Sequence, residues 1–439
     1  MSFAVFWAAQ RAADASLIDV LVYRAQGRAV LEGSDLYALR ATDADLPATY
    51  PPFAALLFVP LALLDVPLVR SLATAGNLLL LLAVAGLSLR LTGVRRQSRP
   101  AATALVAAVA VWCEPVWTTV RYGQINLLLA ALVLWDLARR PTDRWAGVGI
   151  GLAAGIKLTP ALFAVYLALA GMARVRHGTI RVPGLAAVRG HRERDASRRP
   201  SPGPWPRSPR LRQAAVASAT FLATAAAAAL VLPGTSRTFW TEVLLHAERV
   251  GNAEDTANQS LHGVLARALH TGDPGPAAAT ASVTAAGLGL AVAVAALHAA
   301  PRLPRAQAWA AAACAVTALL VSPVSWSHHW VWCVPAGVLL VAEALRRQRR
   351  GWWWTTAAGA GVFCSYALWW VPHSPDRSDR LELHQDAAHM ALSAVYPAAG
   401  IAFLCLTASV VRRAHRSPGL PLPGTRERRG APPQALAKE

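Results

Sequence analysis

Long apolar runs separated by short basic connectors dominate this chain. Residues 68–91, 101–117, 126–137, 213–232, 282–300, 306–321, 331–345, 352–371 and 390–411 are rich in Leu, Val and Ala and poor in charge. Crossing a hydrocarbon core of ~30 Å takes about 20 helical residues, so the pattern predicts a polytopic membrane protein. The alternating apolar and polar positions of a spanning barrel are absent. Helices satisfy every backbone group within lipid, and an all-α bundle of about ten membrane segments is expected, with short amphipathic helices in its outer loops.

Three stretches depart from this pattern. Residues 1–10 are apolar but too short to cross. Because 19–50 is polar, amphipathic and reads as extracytoplasmic, a full first helix is expected before it, beginning ahead of the given start. Residues 51–64 are also too short to span comfortably. Residues 145–173 have basic connectors on both sides, so this segment should enter and leave on one face. Two half-helices broken near Lys157, Leu158, Thr159 and Pro160 achieve that, since proline removes a donor and disfavours helix in the residue before it. Broken helices at membrane depth are tolerated where they line a cavity.

Composition agrees with the pattern. Of 439 residues, 55% are hydrophobic and 15% charged, where a soluble domain carries about 25% charged residues. The net charge of +19 sits in connectors, with arginine concentrated at 90–99, 139–144, 174–212, 346–350 and beyond 412. That distribution is the positive-inside signature of a plasma-membrane protein and argues against nucleic acid as a partner. It predicts one transmembrane domain over 1–411, a disordered cytoplasmic loop at 174–212 and a flexible cytoplasmic tail at 412–439. The five cysteines (113, 314, 333, 364, 405) form no CxxC pair and read as apolar packing residues.

Under this topology the polar motifs fall together at the face opposite the arginines. Ionisable groups at membrane depth are expensive and mark sites. Asp19, followed by Tyr23, Asp35 and Tyr37, can act as a base at the lipid–water boundary; the alternative is a solvated acid, and Asp35 after Ser34 can simply cap a helix. Tyr50, Pro51, Pro52 and Phe53 read as a turn opening a helix. Gln124 and Asn126, after Arg121 and Gly123, can cap a helix or hydrogen-bond a sugar. Lys157 can snorkel or offer phosphate a point charge. Asn258 and Ser260 lie in an outer loop. Trp326, His328 and His329 close a tight turn at 322–330; adjacent histidines rarely chelate one ion and no carboxylate stands at ligand spacing, which favours phosphate or sugar over metal.

In this order, residues 19–37, Tyr50 to Phe53, the Gly123/Gln124/Asn126 and Gly155/Lys157/Pro160 motifs, Asn258/Ser260/Gly263 and Ser322 to His329 resemble glycosyltransferase family 87 over about residues 19–345. These are polytopic actinobacterial mannosyltransferases of the GT-C class that depend on polyprenyl-phosphate-mannose. Departures are the short amino terminus and the arginine-rich insertion at 174–212.

The resemblance implies an inverting single displacement on the extracytoplasmic face, from a polyprenyl-phosphate sugar donor to a lipid-linked glycan acceptor. Asp19 matches the family's base. His328 or His329, then Lys157, then Arg121 are candidates for the donor phosphate. Tyr23, Asp35, Tyr37, Tyr50, Gln124, Asn126, Asn258, Ser260 and Trp326 are candidates for sugar or acceptor contacts. No metal and no cofactor are implied; membrane lipids are the remaining partners. The rival readings are a secondary transporter, which also uses broken helices but predicts internal repeats that this sequence lacks, and a non-catalytic membrane protein lacking its first helix.

Overall fold

The computed structural model describes residues 1–13, 15–179, 208–373 and 379–416, and it is almost wholly helical. The chain runs α1 (Ser2–Ala12), α2 (Ile18–Glu32), α3 (Pro52–Ala62), α4 (Val66–Leu91), α5 (Arg99–Ala110), α6 (Glu114–Tyr122), α7 (Asn126–Leu137), α8 (Val148–Ile156) and α9 (Ala161–Thr179). It continues with α10 (Pro209–Val231), α11 (Pro233–Thr241), α12 (Leu261–Ala268), α13 (Gly275–His298), α14 (Ala306–Val321), α15 (Cys333–Arg347), α16 (Arg350–Cys364), α17 (Ala387–Ser393) and α18 (Val395–Arg416). Among the described residues the strands are a two-residue hairpin, Arg40–Ala41 against Leu46–Pro47.

Among the described residues, five helical stretches are long and apolar enough to cross a membrane, or six if the bent pair α5–α6 is one span. Four further apolar helices are shorter. The bundle is therefore polytopic and all-α, and several of its segments fall short of a full crossing. The core centres on α14. Its alanine-rich sequence buries nearly every position; the small side chains let α13 approach closely, and Trp309 stacks on Phe403 of α18 at 5.7 Å.

Several expected boundaries are corrected. The run at 101–117 is not one straight helix. It breaks after Ala110 and turns by 81°, with Cys113 extended and Pro115 in the first turn of α6, where a proline's missing N–H costs nothing. Residues Glu114–Tyr122 form a helix of their own, α6. The 352–371 run stops at Cys364, and Tyr366 adopts a left-handed conformation before a 3-10 turn at Ala367–Trp370. The 390–411 run divides into α17 and α18. Residues 174–179 and 209–212 extend the flanking helices and 412–416 continue α18, because apolar neighbours on one side suffice to propagate a helix through arginine. The remainder of the expected loop and tail, 180–207 and 417–439, lies outside the described residues.

The break at Lys157 is where the proline placed it, and it makes a hairpin. Gly147, before α8, and Gly171, in α9, both press against the first turns of α10, at Gln213 and Leu211. Phe163, early in α9, instead stacks on Trp332 at the head of α15 (5.4 Å). The α8–α9 pair therefore enters and leaves at the same end of the bundle. That end also collects Arg212, bound to Thr142 and Asp143 carbonyls, and Arg305, bound to the Thr92 carbonyl at 2.8 Å.

Candidate functional site

At the other end of the bundle, the start of α2 seats on the corner between α6 and α7. Gly123 there has φ +70°, and a Cβ would strike Val20 and Leu17, so glycine is required both by conformation and by the close approach. The Leu17 N–H donates to the Arg121 carbonyl at 2.9 Å. These contacts place Asp19, on the first turn of α2, beside Gln124. The Gln124 side chain bonds Asp19, while its Oε1 accepts from the hydroxyls of Tyr23 (2.9 Å) and Tyr50 (3.2 Å), themselves 3.0 Å apart. With Oε1 doubly occupied as acceptor, the amide N–H is what faces the carboxylate. Burial pushes Asp19 up to about 6; the Gln124 hydrogen bond and the Lys157 charge hold it from rising further.

Lys157 ends α8 in an extended conformation. Gly155, two residues earlier, packs on Thr224 of α10, which aims the next turn away from α10. Lys157 Nζ lies 2.7 Å from His329 Nε2 and 3.5 Å from Asn126 Oδ1, and over the Tyr50 ring at 5.4 Å. His329 Nδ1 accepts the Trp326 backbone N–H at 3.1 Å. A neutral imidazole then carries its proton on Nε2. The 2.7 Å contact then has Nε2–H donating to the Lys157 amine; once the lysine is protonated both groups are donors, and an anionic oxygen between them satisfies both.

The histidines sit on a 3-10 turn, Ser327–Trp332. Side chains three apart eclipse in this geometry, so the turn has three faces. His329 and Trp332 face Lys157 and Phe163. His328 packs edge-on to Tyr122 at 5.7 Å, and Val331 joins the apolar cluster around α6. Ser327 and Trp330 face Glu114 and Tyr396. The two rings stand at 89° to each other, which suits two separate tasks and not a shared metal. Among the described residues no group of three His, Cys, Asp or Glu side chains is disposed to hold an ion.

The turn is clamped from below. Its His328 carbonyl accepts from Thr119 (3.0 Å) and Asn126 (3.1 Å). Glu114, fully buried, accepts from Thr118 (2.7 Å), Ser327 (2.8 Å) and Tyr396 (2.8 Å), joining α6, the turn and α18. Sequence reasoning passed over Glu114. Its signal was a lone carboxylate inside an otherwise uncharged run, the same signal that singled out Lys157.

The other candidates separate into two groups. Tyr23, Tyr50, Gln124, Asn126, Lys157 and His329 share one polar wall with Asp19. Trp326 borders it through its backbone, paired with Asn258. Arg121 is half-buried on the same corner, with no side-chain hydrogen bond or ion pair among the described residues. Asn258, Ser260, Asp35 and Tyr37 have their polar atoms engaged elsewhere. Asn258 Oδ1 accepts the Ser325 N–H (3.0 Å), and Ser260 caps α12 through the Gly263 N–H (3.0 Å) and bonds the Pro323 carbonyl (3.2 Å). Asp35 makes a local turn with the Tyr37 N–H (2.9 Å), and the Tyr37 hydroxyl donates to the Tyr50 carbonyl (2.9 Å). These four hold loops that frame the wall.

The fold and its polar wall together describe a helical membrane bundle with a carboxylate, amides and N–H donors gathered at one end. The model of glycosyltransferase family 87 matches residues 48–190 and 207–323. A polyprenol-phosphate-mannose-dependent alpha-(1-2)-phosphatidylinositol mannoside mannosyltransferase of Mycolicibacterium smegmatis is 35% identical over 366 residues, covering 79% of this chain and 74% of that protein. A polyprenol-phosphate-mannose-dependent alpha-(1-2)-phosphatidylinositol pentamannoside mannosyltransferase of Mycobacterium tuberculosis is 32% identical over 335 residues, covering 74% and 67%. The chain belongs to glycosyltransferase family 87 and is a multi-pass membrane glycosyltransferase. No solved structure matches it.

Proposed function

We propose that this chain moves mannose from polyprenyl-phosphate-mannose to a lipid-linked glycan acceptor at the extracytoplasmic face of the plasma membrane. The observation that carries the reading is the shared wall: a carboxylate restrained by Gln124, within reach of the Lys157 charge, with Lys157 in contact with His329. Both relatives named above use the same donor class and phosphatidylinositol-linked acceptors. The arginine connectors at the opposite end of the bundle support this sidedness by the positive-inside rule.

In this mechanism an acceptor hydroxyl attacks the anomeric carbon as Asp19 takes its proton. The bond from that carbon to the phosphate oxygen breaks, with inversion, and polyprenyl phosphate leaves with the electron pair. His329 and Lys157 meet the charge that develops on the phosphate, with Arg121 and His328 as outer contacts. His329 ranks ahead of His328 in this mechanism, because its ring nitrogen is the one that meets the lysine. Gln124, Tyr23, Tyr50, Asn126 and Trp326 position the sugar and the base. Asn258, Ser260, Asp35 and Tyr37 act through the loops they hold. The reading requires no metal, cofactor or nucleic acid.

The direct test is Asp19→Asn, assayed in membranes with radiolabelled polyprenyl-phosphate-mannose. Transfer should fall to background while donor binding persists. Turnover near that of the unmodified enzyme removes Asp19 from the chemistry.

A further inference from the structure

A cleft of about 910 Å³ runs between α4, α5, α15, α16 and α18, with Trp330 and Trp332 of the 3-10 turn at its upper end. It starts at Cys113 and Trp330 and descends along α15 past Gly337 and Val341 to Thr92, Val94 and Leu345 at the arginine-rich end. Its walls are almost entirely apolar. Gly337 lines it, and a Cβ there would have no atom within 4 Å.

The lower mouth is charged. Arg305 Nε donates to the carbonyl of Thr92 (2.8 Å) and Arg99 to that of Val94 (3.0 Å), both wall residues. Arg346 follows Leu345, and Arg347 lies over Trp352 (4.7 Å), one turn before the lining residues Thr355 and Thr356. Glu343, buried, pairs with Arg305 (3.1 Å), Arg346 (2.6 Å) and Arg347 (2.8 Å). Three guanidiniums therefore share one carboxylate, and the Nε of Arg99, beside them, is buried with no acceptor among the described residues.

An apolar cleft between membrane helices with surplus arginine at its mouth matches the chemistry of an anionic phospholipid. We infer that the cleft holds one such lipid, its phosphate on Arg99, Arg305, Arg346 and Arg347 and its acyl chains along α15 and α16. The isoprenoid of the sugar donor does not fit this assignment, because its phosphate belongs at Lys157 and His329, at the opposite end from these arginines. The inference stands independently of the transferase mechanism.

The test uses the full chain in mild detergent, titrated with phosphatidylglycerol, phosphatidylcholine or polyprenyl phosphate and read by native mass spectrometry. One phosphatidylglycerol per chain should be retained, about tenfold or more tighter than phosphatidylcholine, given about 1 kcal/mol per arginine at a lipid phosphate and 1.4 kcal/mol per decade. Gly337→Phe fills the cleft and leaves every arginine in place; it should lose the lipid without lowering the unfolding temperature measured in lipid-free detergent. Arg346→Gln with Arg347→Gln should lose the preference for the anionic headgroup. Equal retention of both phospholipids, preferential retention of polyprenyl phosphate, or unchanged phosphatidylglycerol binding by Gly337→Phe overturns the inference.

Discussion

At the scale of single residues, the site depends on how each polar atom is already occupied. Gln124 gives both lone-pair directions of its oxygen to tyrosines, which leaves only N–H for Asp19. Burial holds Asp19 near 6, and a base must be deprotonated to act, so transfer should be flat above that pH. Below it, activity should fall about tenfold per unit as the carboxyl protonates. Gln124→Leu removes the donor that favours the charged form, so the acid limb should move to higher pH; a limb that does not move shows that another group sets it. His329→Ala should raise the KM for the donor by about 10–100-fold, the value of a charged hydrogen bond of 1.5–3 kcal/mol. His328→Ala should cost less, since its anchoring is through its backbone carbonyl. Steady-state kinetics with equal penalties would contradict the division of labour between the rings. None of this hydrogen-bond accounting was legible in the sequence, where Asn258, Ser260, Gln124 and Asn126 looked equally available. The first two spend their polar atoms on loops and the last two face the wall.

At the scale of elements, sequence signals were reliable where a backbone constraint is local. Pro160 ended α8 at Lys157 because proline acts on its immediate neighbours. The 101–117 run misled, because uniform apolarity says nothing about the 81° bend after Ala110; what holds α6 across the bundle is tertiary, through Glu114, Ser327 and Tyr396. That clamp makes a prediction of its own. Glu114→Ala strands three hydroxyls at about 1–3 kcal/mol for each group left unsatisfied, so the unfolding temperature and kcat should both fall. Glu114→Gln keeps an acceptor of the same shape and should recover most of each. If both variants behave alike in thermal unfolding and turnover, the clamp is not what holds the histidine turn.

At the scale of the whole molecule, two ends emerge: one carries Arg212, Arg305 and Arg346, the other Asp19, Lys157 and His329. With the native cysteines replaced, a cysteine introduced at the exposed Asp43 should react with an impermeant maleimide on intact cells, and one at Gln97 only after lysis. The reverse pattern would invert the proposed topology. The sequence alone determined that this is a helical membrane protein, that its large arginine clusters lie in connectors, and that the α8–α9 hairpin turns back at Lys157, since hydropathy, charge patterning and proline are properties of consecutive residues. Only the tertiary structure decided that Asp19, Gln124, Lys157 and His329 meet, that His329 and His328 point apart, and that Glu114 belongs to the same assembly. Those outcomes depend on the close approach at Gly123 and on the three faces of a 3-10 turn, which bring together side chains separated by hundreds of positions.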